Sequence, residues 1–185
     1  MSKIHISLAN VNRYFYLQPL SGKTVLQGFN CSVIEYSDYL VKDALRSMKD
    51  HIAKTWLLYE IKTDNVVAYM SLIMDSIKLS FSEKELHNLN YPFRTVPAMK
   101  IAKLAVSTDS FDKYKGIGTF MIGSAERFAM ACNDDYCAAR FLTVDADIEH
   151  DEGVLAFYQK NGFIANTELY NKNRKTISMR KDIYQ

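Results

Sequence analysis

The residues with the clearest chemistry in this 185-residue sequence are Gly116, Ile117 and Gly118. They follow a polar loop from Ser107 to Asp112 and the residues Lys113-Tyr114-Lys115. They precede Met121, Ile122, Ala125, Phe128, Ala129 and Cys132, which recur at i, i+3 and i+4. That spacing predicts a helix with one apolar face, opened by Thr119. The first N–H groups of a helix have no partner inside it, and a glycine lets a ligand come close to them. A phosphate or pyrophosphate suits such a turn. An ordinary strand-to-helix turn would carry the same residues. Two familiar phosphate loops do not fit. Gly22-Lys23-Thr24 lacks the glycine that a P-loop requires at position 17, and Gly123 falls two residues late for a dinucleotide fingerprint.

The elements that must position this turn are legible on both sides. Met99, Ile101 and Ala105 alternate with Ala102, Leu104 and Val106, so both faces are apolar and a buried central strand is predicted. Earlier, Lys3–Leu8 alternates as a first strand, and Asn12–Leu20 is ambiguous, with Pro19 stopping any helix. Tyr36–Ala53 reads as a helix with Ser37 as a cap. Trp56–Ile61 and Val66–Ile73 read as strands joined by a Thr63-Asp64-Asn65 turn. Ser82 with Glu85 suggests a capping box for a helix over Glu83–Leu89. Arg140–Val144 is a further strand. Phe163–Glu168 and Lys175–Arg180 can pair as a closing hairpin around Tyr170–Asn173. The order is α/β with a mixed sheet, in a single domain over residues 1–185.

Composition is that of a globular protein: 48% hydrophobic and 24% charged residues, with a formal net charge of +2. The charge does not argue for nucleic acid by itself. The amino terminus lacks an apolar core of signal-peptide length, and the run Val66–Met74 is too short to span a bilayer. Cys31, Cys132 and Cys137 have no metal-ligand spacing, so a reduced cytoplasmic protein without structural metal is expected.

Two motifs in order point to a family. Lys113-Tyr114-Lys115-Gly116-Ile117-Gly118 resembles the coenzyme A loop of the GNAT N-acetyltransferases, Q/R-x-x-G-x-G/A, from its fourth position onward. Lys113 stands for the usual Gln or Arg. Phe157-Tyr158-Gln159-Lys160-Asn161-Gly162-Phe163 resembles the F/L-Y-x-x-x-G-F signature that follows that loop in the same family. The resemblance implies the GNAT fold, with a mixed central sheet of about six to seven strands flanked by helices. It implies acetyl-CoA as co-substrate and an amine as acceptor.

The resemblance also assigns roles. Leu104, Ala105 and Val106 would hold pantetheine through their backbone. Lys113, Tyr114, Lys115, Gly116, Ile117, Gly118 and Thr119 would hold the pyrophosphate, mainly through main-chain N–H groups, with Lys113 and Lys115 adding charge. Asp151 stands where many relatives carry a pantetheine-binding asparagine; a helix cap explains it equally well. Tyr158 would be the general acid for the departing thiolate, since a phenol titrates near ~10 and stays protonated at neutral pH. Packing beside the coenzyme is the other role open to it. The general base is not evident: Lys103 occupies the central strand, while Glu60, Asp75, Asp145 and the four histidines are scattered.

The acceptor expected from these readings is a primary amine of a small molecule or peptide. The alternative is aminoacyl-tRNA. Gly28-Phe29-Asn30-Cys31-Ser32 with Tyr39-Leu40 and Ala44, then Asn65–Leu72, Pro97 and Lys103-Leu104-Ala105-Val106, resemble the GNAT toxins of toxin–antitoxin pairs. Those toxins usually carry Arg where Lys103 stands. A coenzyme A-binding module without catalysis is a third reading. The resemblance leaves room for a homodimer, and no membrane partner is expected.

Overall fold

Strand and helix periodicities in the sequence resolve into nine strands and six α-helices among the described residues of a computed structural model, which covers residues 3–26, 28–166 and 175–185. In chain order these are β1 (Ile4–His5), β2 (Phe15–Pro19), α1 (Ile34–Asp38), α2 (Ala44–Lys49), β3 (Lys54–Glu60), β4 (Val66–Lys78), α3 (Phe81–Leu86), β5 (Thr95–Val106), α4 (Thr108–Lys113), β6 (Tyr114–Lys115), α5 (Ile117–Asp135), β7 (Phe141–Asp147), α6 (Val154–Lys160), β8 (Ile164–Ala165) and β9 (Thr176–Asp182). Seven strands form a mixed sheet in the order β2-β3-β4-β5-β7-β9-β8, and β1 pairs separately with β6. The chain divides into two compact units, one of residues 1–73 and 102–124, the other of residues 74–101 and 125–185. β4, β5 and α5 each run from one unit into the other.

In the first unit, β2, β3 and the start of β4 form an antiparallel ladder, from Phe15↔Glu60 to Pro19↔Trp56 and from Lys54↔Leu72 to Tyr59↔Val66. Asp64 takes a left-handed conformation (φ 59°) in the expected turn between β3 and β4. The first strand of this sheet is thus β2, in the stretch the sequence leaves ambiguous. The alternating segment at the amino terminus shortens to β1. It pairs in parallel with β6 (Ile4↔Tyr114, His5↔Lys115), so its role is to brace the glycine turn. The predicted helix over Tyr36–Ala53 begins at Ile34 and passes through a π-helical segment, Tyr39–Asp43. Ser37 does not cap it; its hydroxyl accepts the Cys31 N–H at 3.0 Å. Leu40, Ala44, Leu57, Tyr69 and Ala105 are buried together beneath it.

In the second unit, β5 and β7 pair in parallel from Ala98↔Phe141 to Lys100↔Thr143, where the ladder ends. β9 pairs antiparallel with β7 along its whole length, and β8 with β9. The predicted closing hairpin is therefore present where it is described; its turn at Tyr170–Asn173 lies outside the described residues. The capping box is real but sits two residues earlier than predicted. Ser80 Oγ accepts the Glu83 N–H and Glu83 Oε2 accepts the Ser80 N–H, so the helix is Phe81–Leu86. Glu83 also accepts a hydrogen bond from the Arg180 guanidinium at 2.8 Å, through the oxygen that the capping box leaves free. Among the described residues, no helix is long and apolar enough to cross a membrane.

Candidate active site

The glycine turn is built within the first unit. Ser107 ends β5 and caps α4, accepting the Ser110 N–H at 3.2 Å, so the predicted polar loop from Ser107 to Asp112 is helical. One residue of β6 hydrogen bonding follows: the Ile6 N–H donates to the Lys115 carbonyl at 2.7 Å. Gly116 then takes φ +98°, and a Cβ there would lie 2.5 Å from the Ile6 carbonyl oxygen. Backbone cannot yield as a flexible side chain can. Only glycine fits.

Helix α5 opens immediately, at Ile117 rather than at Thr119, and the Phe120 N–H makes the first intrahelical bond, to Gly116 O at 2.9 Å. The N–H groups of Ile117, Gly118 and Thr119 thus have no intrahelical acceptor. Over 19 residues the aligned peptide dipoles add positive potential at that end. Such a turn can bind an anion without a charged side chain.

The two lysines of the loop differ. Lys113 donates to the Glu60 carboxylate, and the buried Tyr114 hydroxyl donates to the same oxygen. Thr63 Oγ1 donates to the other oxygen at 2.8 Å. Burial alone would push the Glu60 carboxyl up, but the donors Lys113, Tyr114 and Thr63 outweigh it and bring it down to about 2. The same pair raises the Lys113 ammonium. The Tyr114 ring packs edge-on against Phe15 at 4.8 Å. Lys113 and Tyr114 therefore hold the loop to β3, while Lys115 is exposed.

Farther along the same unit, Lys103 Nζ lies 4.6 Å from the centre of the Tyr36 ring and 6.0 Å from that of Tyr39. Tyr39 stacks on Tyr69, whose hydroxyl donates to the Tyr36 carbonyl at 2.7 Å. Burial raises the Tyr69 phenol well above its ordinary range. A cation over a tyrosine ledge is the result. Nothing in the sequence reading joined these residues, although Tyr36 and Tyr39 at i, i+3 on a helix were the available signal.

In the second unit, Tyr158 lies on α6 and is only 6% exposed. Its ring meets Phe157 and Phe163 edge-on at 5.1 and 5.3 Å. Burial alone raises its phenol beyond the ordinary tyrosine range, so it holds its proton throughout neutral pH. Gly162, at φ +85°, ends the helix as a glycine C-cap does. Asp151 is not the helix cap, which is Gly153; its Oδ1 accepts the Gly153 N–H at 2.8 Å in a turn leading into α6.

The carboxylates considered as bases are engaged. Besides Glu60, Asp75 accepts from Thr143 Oγ1 at 2.6 Å, and Asp145 pairs with Lys100 at 2.6 Å. His87 is buried against Asp182 at 2.9 Å, and His150 meets Asp147 at 2.9 Å. Among the described residues no group of His, Cys, Asp and Glu could hold a metal ion.

No family model and no curated protein matches the sequence. Solved structures do match the fold. A tyrosine-to-phenylalanine mutant of KacT aligns with TM-score 0.72 at 17% identity, covering 90% of this chain and 95% of that one. AtaT complexed with acetyl-methionyl-tRNAfMet aligns with TM-score 0.71 at 18% identity, over 89% and 93%. A structure described as a bacterial toxin aligns with TM-score 0.76 at 10% identity, over 92% and 91%. With its seven-stranded mixed sheet and flanking helices, the chain has the GNAT acyltransferase fold of these toxins.

Proposed function

We propose that this protein is an acetyl-CoA-dependent N-acetyltransferase of the toxin type, whose acceptor is the free amine of an aminoacyl-tRNA. The observation that carries the enzyme reading is the turn at Gly116. Its positive φ, the closeness of Ile6 O and the immediate start of α5 suit the pyrophosphate of coenzyme A. Solved relatives of the fold include AtaTR bound with acetyl-CoA and AtaT complexed with acetyl-methionyl-tRNAfMet, which supports the tRNA alternative over a small-molecule amine. Lys103 on its tyrosine ledge adds a cation suited to a polyanionic acceptor.

In this reading Ile117, Gly118 and Thr119 bind pyrophosphate through N–H groups, with Lys115 at the rim, and Leu104, Ala105 and Val106 bind pantetheine through backbone. Lys113 and Tyr114 keep the loop in place through Glu60. The neutral amine attacks the thioester carbonyl and forms the C–N bond. The tetrahedral intermediate expels the coenzyme thiolate, which takes the Tyr158 proton, and the proton lost by the amine passes to solvent, from which the phenol is restored. An aminoacyl ester has a less basic amine than a free lysine, so a weak acceptor for its proton suffices.

Two measurements test this. Calorimetry with acetyl-CoA is expected to show binding by the wild type and none by folded Gly116→Glu. Incubation with acetyl-CoA and charged tRNA is expected to yield N-acetylated aminoacyl-tRNA. Absence of coenzyme binding overturns the enzyme reading. Binding with transfer to small amines alone overturns the tRNA acceptor.

A further inference from the structure

The carboxyl-terminal end of α5 carries a feature that the proposed acetyl transfer does not use. Cys132 lies in the last turn of the helix and Cys137 two residues beyond its end. The Tyr136 and Cys137 N–H groups both donate to the Cys132 carbonyl, at 2.9 and 2.8 Å, so the chain folds back over the helix end. That turn brings the two sulfurs within 3.2 Å of each other. The segment is braced on its far side as well, because the Asn133 side chain bonds both the N–H and the carbonyl of Ala139. Cys137 is exposed and Cys132 half-buried, whereas Cys31 is buried, with its thiol directed to the Val33 carbonyl at 3.1 Å.

A disulfide requires about 2.05 Å between sulfurs, so closure asks for an approach of roughly 1 Å, within reach of side-chain rotation. We propose that Cys132 and Cys137 form a redox-active dithiol that a hydroperoxide converts to an intramolecular disulfide. The exposed Cys137, as thiolate, attacks one peroxide oxygen. This gives a sulfenic acid and releases water after proton uptake. The Cys132 sulfur then displaces hydroxide from the sulfenic sulfur, forming the S–S bond and a second water. Two thiols lose two electrons and two protons, and one peroxide becomes two waters. The bond would pin the end of α5 to the chain entering β7, and cellular thiols would reopen it by exchange.

A hydrogen bond in which the Cys137 thiol donates to the Cys132 sulfur, with burial and the charge of a Cys132 thiolate, raises the Cys137 thiol above its ordinary range. The first step should therefore quicken as pH rises, because only the thiolate attacks.

The inference is independent of the acetyltransferase reading and is tested without coenzyme. Folded wild-type protein is treated with hydrogen peroxide, quenched with an alkylating agent and digested with trypsin. The peptide 128–140 carries both cysteines. It should lose two hydrogens, regain them with dithiothreitol, and do neither in Cys132→Ser or Cys137→Ser. Closure should be at least about tenfold faster in the folded protein than in urea, since the fold holds the thiols together. Oxygen adducts on Cys137 without loss of two hydrogens would overturn the proposal. So would disulfides only between molecules, or equal rates in urea.

Discussion

Lys113 and Glu60, 53 residues apart in sequence, form an ion pair beneath the glycine turn, and Tyr114 completes it. The lysine that the motif would aim at a phosphate is held instead by a buried carboxylate. The loop is positioned by this pair, and its anion-binding capacity rests on the backbone beyond it.

Glu60→Gln should lower stability at pH 7 by roughly 1–2 kcal/mol, a figure reduced because Lys113 is half-exposed. The sign follows from the lowered carboxyl. The wild-type advantage is complete above the ordinary glutamate range near 4.5. It is lost progressively as pH falls toward about 2. Urea unfolding of both proteins between pH 7 and pH 3 measures it; a gap that stays constant would exclude an ionised Glu60 as its source.

Gly116→Ala combines a positive φ with a 2.5 Å approach to Ile6 O. A cost of about 2–4 kcal/mol is expected, from backbone strain and displacement of β1. Gly22→Ala, where a Cβ meets nothing within 4 Å, is the control and should change stability by less than about 1 kcal/mol. Thermal unfolding of the three proteins decides it.

Tyr158→Phe removes the hydroxyl and keeps the ring against Phe157 and Phe163. Acetyl-CoA affinity should be preserved, while kcat falls by about 100- to 10,000-fold if the phenol is the acid. Because burial raises this phenol, the wild-type rate should show no alkaline loss until above about pH 10. Unchanged turnover would leave Tyr158 only a packing role.

Arg180 is almost wholly buried, donating to Glu83 at 2.8 Å and to Asn166 at 2.7 Å. Its Nε–H points at His87 Nε2 (3.4 Å), so Nε2 accepts and Nδ1 donates to Asp182. Arg180→Met strands the Glu83 carboxylate and should cost about 3–5 kcal/mol. Ser80→Ala removes the cap and the hydroxyl's bond to the Glu83 carboxylate but leaves the Arg180 contact, and should cost about 1 kcal/mol. Urea midpoints at neutral pH compare the two.

Local patterns alone determined a good deal of this protein. The apolar alternation of Met99–Val106, the helical spacing from Met121 to Cys132 and the paired motifs at Gly116 and Tyr158 are properties of short windows, and each element formed where its period demanded. Gly116 could be singled out because its chemistry, backbone freedom, is its own. Contacts between distant segments were not legible. Glu60 with Lys113 and Tyr114, Lys103 over Tyr36, and Arg180 with Glu83 depend on which strands lie side by side, and no local period encodes that. Tertiary structure also settled local ambiguities. Ser80 rather than Ser82 caps α3, and the Glu83 of that capping box also accepts a hydrogen bond from the distant Arg180. β1 is short because its partner β6 is only two residues long, and beyond it the Ser7 carbonyl accepts from Asn10 and Val11 in a turn instead. A strand or a cap is thus proposed by residue type and decided by the partner that satisfies its hydrogen bonds.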